Sequence, residues 1–207
     1  MSRLNGKIAA ATGERFKVAL VSLLMTLVVT TGAVGWPRPQ DGSATTPTVG
    51  DKALDFSLAS IDGHRVTLSN ELTKGPVVLV LLRGWPGYQC PFCTMQFGDL
   101  LSHAKDLSAT GARVILIYPG PSDQLSGHAE EFRANRVLPA NFQLLIDPDY
   151  VFTRAYGLRW ESPGETSYPS TLIIDRSSIV RFALISRTHG GRAAATEVLK
   201  VLSTLDK

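Results

Sequence analysis

Residues 76–96 read PVVLVLLRGWPGYQCPFCTMQ, and the succession of patterns in this stretch decides the fold. Pro76 to Leu82 is an unbroken aliphatic run, the mark of a strand buried on both faces. From Pro91 to Ser108, the apolar residues Phe92, Met95, Phe97, Leu100, Leu101, Ala104 and Leu107 recur at helical spacing, and Gly111 suits the cap beyond the end. Between strand and helix lie Cys90 and Cys93, the only two cysteines of the chain. A helix start offers unpaired N–H groups and the positive end of the dipole, which favour thiolate over thiol. Pro91 falls near the first helical position, where its missing N–H costs nothing. Two thiols three residues apart on a first helical turn can close into a disulfide, so Cys90 and Cys93 form a candidate redox centre.

Other uses of a Cys-x-x-Cys motif fit less well. A structural zinc site needs four ligands, and with no second cysteine pair the remainder would have to come from His64, His103, His128 and His189. Haem attachment requires histidine after the second cysteine, where Thr94 stands. Inert buried thiols are the plain alternative, against which both cysteines share one helix-opening motif. No metal site is expected, and no cofactor beyond the thiols.

The flanking sequence alternates strands and helices. Asp55 to Leu68 holds two short alternating runs around Asp62-Gly63, an opening hairpin, followed by a turn of helix near Ser69 to Thr73. After the motif come a buried strand at Arg113 to Tyr118, a helix over Ser122 to Arg136 with Ser122 as N-cap, a strand at Phe142 to Ile146 and a short helix at Tyr150 to Tyr156. An irregular loop, Arg159 to Tyr168, leads through Pro169 to a closing hairpin, Thr171 to Ile174 and Ile179 to Leu184, and a last helix over Arg192 to Leu205. The expected architecture is α/β, a central mixed sheet flanked by helices on both faces.

At 207 residues and 44% apolar, the chain supports one core once its N-terminal segment is set aside. The net charge of +3 arises before residue 37, from Arg3, Lys7, Arg15 and Lys17 against Glu14; the rest carries 17 basic and 17 acidic residues. No basic footprint points to nucleic acid. Residues 18–34, VALVSLLMTLVVTTGAV, are uncharged, follow Arg15 and Lys17, and precede Trp36-Pro37. The segment reads as a transmembrane anchor, or a signal if cleaved after Gly35, with residues 1–17 cytoplasmic and the domain outside. The weak cleavage site and interfacial Trp36 favour the anchor. Residues 36–48, rich in Pro, Ser, Thr and Gly, read as a linker, and residues 49–207 as the domain. The expected location is membrane-anchored on the extracytoplasmic side, periplasmic in a bacterium, or secreted if the segment is removed.

This arrangement resembles the thioredoxin-like superfamily, and within it the alkyl hydroperoxide reductase and thiol-specific antioxidant branch of peroxiredoxin-like proteins. The opening Gly50-Asp-Lys-Ala-Leu-Asp-Phe-Ser-Leu58 with Asp62-Gly63 and Val66-Thr-Leu-Ser69 is similar to that family's N-terminal hairpin extension, although Leu54 stands where proline is usual. Pro86-Gly-Tyr-Gln-Cys90-Pro-Phe-Cys93 has the spacing of the peroxiredoxin Pro-x-x-x-Thr-x-x-Cys, with cysteine replacing threonine. The peroxiredoxin pattern makes Cys93 the peroxide-attacking cysteine and Cys90 the resolver; the thioredoxin pattern makes Cys90 the nucleophile and Cys93 the resolver. Pro169, in Tyr168-Pro-Ser-Thr-Leu-Ile-Ile-Asp175, stands where similar peroxiredoxins carry a peroxide-binding arginine and thioredoxins a cis proline; the resemblance implies a cis bond here rather than an ordinary trans loop proline, and leans towards disulfide exchange.

Arg83 is the nearest cation in sequence, expected either to steady a thiolate and stand in for that arginine or to end the strand in solvent. Trp85, Pro86 and Tyr88 are expected beside the disulfide. The His189-Gly190-Gly191 run reads as a loop into the last helix. The resemblance implies a thiol-disulfide oxidoreductase acting on protein disulfides with a thioredoxin-like or other thiol reductant. The alternatives are a thiol peroxidase acting on hydroperoxides and a copper-handling chaperone.

Overall fold

The elements run β1 (Ser57–Ser60), β2 (Arg65–Thr67), α1 (Leu68–Lys74), β3 (Val77–Leu81), α2 (Pro91–Ser102), α3 (Ala104–Ala109), β4 (Arg113–Gly120), α4 (Leu125–Arg133), β5 (Phe142–Pro148), α5 (Val151–Ala155), β6 (Ser170–Ile174), β7 (Val180–Ile185) and α6 (Ala195–Leu202). They are seen in a computed structural model that describes residues 44–205. The expectations on residues 1–17, 18–35 and most of the 36–48 linker lie outside the described residues. The strands form one seven-stranded sheet in the order β2-β1-β5-β4-β3-β6-β7. β3, β4 and β5 run parallel, with α2, α3 and α4 in the crossovers, whereas β1 on β5, β6 on β3 and β7 on β6 are antiparallel. This is the predicted mixed sheet with its opening hairpin.

Strand β3 shows why the aliphatic run is continuous. Successive side chains of a strand point to opposite faces. Val78, Val80 and Leu82 enter one core with Phe97, Leu100 and Leu107 of α2 and α3, Phe132 of α4 and Val198 of α6. Val77, Leu79 and Leu81 enter a second core with Leu68 and Leu72 of α1 and Phe152 of α5. The five β3 side chains and that of Leu82 just beyond the strand are at most 2% exposed. Each such burial stabilises the fold by roughly 1.5–3 kcal/mol. The end of β3 is therefore a rigid base for the loop that carries the chain to the cysteines.

Three boundaries differ from the sequence reading. The helix predicted over Pro91 to Ser108 breaks at His103 (φ −102°, ψ 14°), where the Asp99 carbonyl accepts from Ser102 Oγ at 2.7 Å as well as from the His103 N–H at 3.2 Å. Ser122 is not the N-cap: that position falls to Gln124 in the left-handed region (φ 56°), and Ser122 lies in the loop before it with its N–H on Asp149 Oδ1 at 2.9 Å. The last helix starts at Ala195, whose N–H is held by Asp99 Oδ2 of α2 at 2.7 Å. A carboxylate distant in sequence thus caps α6, and residues 189–194 form a turn reaching over α2. No local propensity records such a cap.

Candidate active site

Cys90 is the N-cap residue of α2 with extended backbone (φ −69°, ψ 116°), Pro91 occupies the first helical position, and the Thr94 N–H donates to the Cys90 carbonyl at 3.1 Å. The helix therefore starts where the sequence places it. Both cysteines are free thiols, and they are 2% and 1% exposed.

The approach to the motif is fixed from both sides. Gly84 adopts φ +71°, and a Cβ there would lie 1.8 Å from the Pro119 carbonyl oxygen of β4, so only glycine fits. From the loop before β6, Ser167 Oγ donates to the Leu82 carbonyl at 2.7 Å and Thr166 Oγ1 to the Arg83 carbonyl. Tyr118 of β4 donates to Gln89 Oε1 at 2.9 Å, and Gln89 Nε2 donates to the His128 carbonyl of α4 at 2.9 Å. The residue before Cys90 thus bridges strand and helix. These contacts settle the main chain around the sulfurs before any substrate arrives.

The two thiols are electrostatically unequal. The Cys93 thiol donates towards the Cys90 sulfur and lowers its pKa from 9.0 to about 5, against burial; the Cys93 main-chain amide, the Arg192 charge and the Phe92 amide add to the lowering. The opening amides lie near the sulfur without completing a cap hydrogen bond of full geometry. Cys93 is pushed the other way, first by holding the shared proton for Cys90, then by burial and by the Cys90 charge, with Arg192 opposing. These opposite shifts favour Cys90 as the thiolate and Cys93 as the holder of the proton. Two donors nonetheless converge on the Cys93 sulfur: the Arg83 main-chain N–H at 3.2 Å and Arg192 Nη2 at 3.5 Å.

The other predicted residues divide. Arg83 is not a free cation at the sulfur. Its side chain is 4% exposed and pairs with Glu165 Oε2 at 2.9 Å, while Nη1 donates to the Tyr88 hydroxyl. Burial works against the Arg83 charge, but Tyr88 and Glu165 outweigh it and raise its pKa. Glu165 also meets His189 Nε2 at 2.8 Å. Only the main chain of Arg83 touches Cys93, because the buried guanidinium needs a carboxylate and finds it in the 159–168 loop. Trp85 stacks on His128 with centroids 3.8 Å apart and lines, with Pro121, Asp123, Gln124 and Leu125, a cleft of 260 Å³. Tyr88 is 48% exposed and Phe92 46%, leaving aromatic surface beside the motif, and Pro86 is half-buried in the preceding turn.

Pro169 is buried, but its peptide bond is trans, since no cis bond occurs among the described residues. The Tyr168 N–H pairs with the Leu158 carbonyl and the Pro169 carbonyl with the Ser186 N–H, at 2.8 and 2.9 Å, so the chain already runs extended into β6. The guanidinium that reaches the Cys93 sulfur is instead that of Arg192, from the segment before α6. Sequence reasoning missed it, because it lies 99 residues from Cys93 and no motif joins them. Gln96, one turn beyond Cys93, was missed as well. It is 4% exposed, donates to Thr171 Oγ1 at 3.0 Å, and its Oε1 has no partner. A buried glutamine at an otherwise apolar helix position was its only trace. Among the described residues no third His, Cys, Asp or Glu gathers with the sulfurs into a ligand group, so the copper-handling alternative rests on two sulfurs alone.

This chain resembles known proteins of two thiol chemistries. It is 34% identical over 152 residues, 71% of this chain and 90% of the other, to a Mycobacterium tuberculosis protein named as a peroxiredoxin. A Chlorobium tepidum structure named as a thiol:disulfide interchange protein DsbE superposes with a TM-score of 0.55 at 27% identity, covering 75% of this chain and 98% of that one. The M. tuberculosis peroxidoxin BcpB shares the fold, with a TM-score of 0.60 at 24% identity, 77% of this chain and 98% of that one. The AhpC/TSA family model matches residues 49–183. With that match over most of its length and a pair of thiols at the β3–α2 junction, the chain belongs to the AhpC/TSA family and is a thiol-based oxidoreductase.

Proposed function

We propose that the protein is a thiol-disulfide oxidoreductase in which Cys90 attacks and Cys93 resolves. The observation that carries this reading is the inequality of the two sulfurs, with Cys90 as the thiolate at the head of α2 and Cys93 as the proton holder behind it. The Cys90 thiolate attacks one sulfur of a substrate disulfide, forming a mixed disulfide and releasing the other sulfur as a thiolate. Cys93 then gives up its proton and attacks the Cys90 sulfur, displacing the second substrate thiolate. Two electrons pass to the substrate and a Cys90–Cys93 disulfide remains, which a dithiol reductant reopens by the reverse steps. Protein disulfides are the proposed substrates and a thioredoxin-like or other dithiol the reductant; Tyr88 and Phe92 offer exposed aromatic surface to either. The direction of flow follows from the reduction potential, which spans roughly 150 mV among oxidoreductases of this chemistry.

Equilibration of the purified domain with glutathione redox buffers, followed by mass spectrometric counting of free thiols, tests the proposal. Reversible loss and return of two thiols together supports it. A domain that stays dithiol under oxidising buffer has no exchange cycle.

A thiol peroxidase is the second reading, favoured by the two donors at the Cys93 sulfur and by the similarity to a protein named as a peroxiredoxin. There Cys93 attacks a hydroperoxide, becomes a sulfenic acid as alcohol or water leaves, and Cys90 closes the disulfide with loss of water. Stopped-flow consumption of hydrogen peroxide distinguishes the two, since a rate no greater than that of free cysteine removes the peroxidase.

Residues 18–35 are proposed to tether the domain outside the cytoplasmic membrane, supported by their uncharged run and basic flank. Release of the full-length chain by carbonate washing would contradict an anchor.

A further inference from the structure

The inequality of the thiols leaves a difficulty in the second half of the cycle. Cys93 is 1% exposed and stays protonated while Cys90 is a thiolate, yet it must become the nucleophile once Cys90 is engaged. A buried thiol with no opposite charge nearby is a poor nucleophile.

The groups around the Cys93 sulfur indicate how this is met. Arg83 offers its main-chain N–H at 3.2 Å, from the end of β3. Arg192 offers Nη2 at 3.5 Å, from the turn before α6. That turn is fixed on its near side by Arg192 Nη1 donating to the Gly190 carbonyl at 2.7 Å, and on its far side by Gln96 Nε2 approaching the Ala193 carbonyl at 3.4 Å and by the Asp99 cap on Ala195 at 2.7 Å. Among the described residues Arg192 has no carboxylate partner, and its buried Nε is unpaired, so its charge is not neutralised locally. The other titratable groups facing Cys93 are Cys90 itself and Tyr118 of β4, whose own pKa burial raises. The Arg83 guanidinium is engaged by Glu165.

We infer that Arg192 is a catalytic residue of the resolving step, holding the Cys93 sulfur as a thiolate as soon as Cys90 is tied up in a mixed disulfide. The inference rests on the exchange reading and adds to it a residue and a switch. Before substrate arrives, the Cys90 charge and the shared proton keep Cys93 protonated. Forming the Cys90–substrate bond removes that charge and that acceptor. The Arg192 charge and the Arg83 amide then act unopposed except by burial. The Cys93 proton leaves to solvent, the thiolate electron pair forms the new S–S bond to Cys90, and the pair of the old bond departs on the substrate sulfur. Capture of substrate thus arms its own release, and the second thiol is not exposed as a thiolate between turnovers.

Mixing the reduced protein with dithiobis-nitrobenzoate separates the two steps. Attack by Cys90 releases one thionitrobenzoate, and attack by Cys93 on the Cys90 adduct releases the second in a slower phase. For Arg192→Gln, which keeps a donor and loses the charge, the second phase is expected to slow at least about tenfold near neutral pH. Its pH profile is expected to move up by about one unit, while the first phase changes less. Arg192→Lys is expected to stay within about threefold of the unaltered protein. An unchanged second-phase profile in Arg192→Gln overturns the assignment, as does equal slowing in Gln and Lys variants, which would make the role one of shape. Failure of the unaltered protein to release any second equivalent would instead sink the exchange reading itself.

Discussion

Replacing Cys93 with serine or Cys90 with serine tests the inequality of the sulfurs quantitatively. A thiol of pKa 9.0 is about 1% ionised near neutral pH, whereas one lowered to about 5 is almost wholly ionised, so the reactive thiolate differs by roughly a hundredfold. In the unaltered protein, ultraviolet thiolate absorbance and the iodoacetamide reaction followed against pH should both report a transition near 5, and peptide mapping should place the label on Cys90. Cys93→Ser keeps a hydroxyl donor beside Cys90, together with the helix amides and Arg192, and should retain most of the lowering. Cys90→Ser should leave a slow thiol with no acidic transition. The same shift has a consequence for stability. The lowered Cys90 pKa contributes stability to the reduced protein that is fully present above 9 and lost as pH falls through about 5. Above 9 the raised Cys93 acts in the opposite sense, because the unfolded chain ionises more readily. Four pKa units correspond to an upper limit of about 5 kcal/mol. Reduced-protein stability should therefore rise from pH 5 towards 9, and Cys90→Ser should flatten that rise. An acidic transition persisting in Cys90→Ser, with label on Cys93, refutes the assignment.

Three further substitutions probe the frame. Gly84→Ala places a methyl group against the Pro119 carbonyl at a positive φ and should cost more than about 1 kcal/mol in denaturant melts, with slower alkylation of Cys90 as the loop shifts. Asp147 is fully buried and accepts from the Phe152 N–H, the Thr153 N–H and the Thr153 hydroxyl at 2.8, 2.9 and 2.5 Å, so Asp147→Ala should destabilise by about 2–4 kcal/mol on thermal unfolding without moving the thiol titration. Glu165→Gln leaves the buried Arg83 guanidinium without its carboxylate and should cost about 3 kcal/mol, and a melt unchanged by it would show that solvent already serves Arg83.

The features legible in the sequence are those that depend on neighbours along the chain. The run from Pro76 to Leu82 places β3, and the apolar period after Pro91 places α2, so the motif falls at the junction where the structure has it. The Asp62-Gly63 hairpin and the closing hairpin are likewise local in origin. Where distant groups compete, local reading fails. The loop holding Ser122 is tied to Asp149 beyond β5 and α4 starts only after Gln124, and the start of α6 is set by Asp99 on another helix. The site divides along the same line. Cys90, Cys93 and Pro91 lie where the motif puts them, but Arg83, near in sequence, turns its charge to Glu165, and Arg192, distant in sequence, brings its charge to the sulfur. A cation's sequence distance from a thiol says little: Arg83 is drawn away by the Glu165 carboxylate, while Arg192 is brought in by the segment that Asp99 and Gln96 hold against α2.

The most direct test of the central claim is to trap the cycle halfway. Cys93→Ser protein mixed with a disulfide-bonded peptide and mapped by mass spectrometry should accumulate one mixed disulfide, on Cys90, while Cys90→Ser should accumulate none. A stable adduct on Cys93 in the Cys90→Ser protein, with none on Cys90 in the Cys93→Ser protein, would contradict the account.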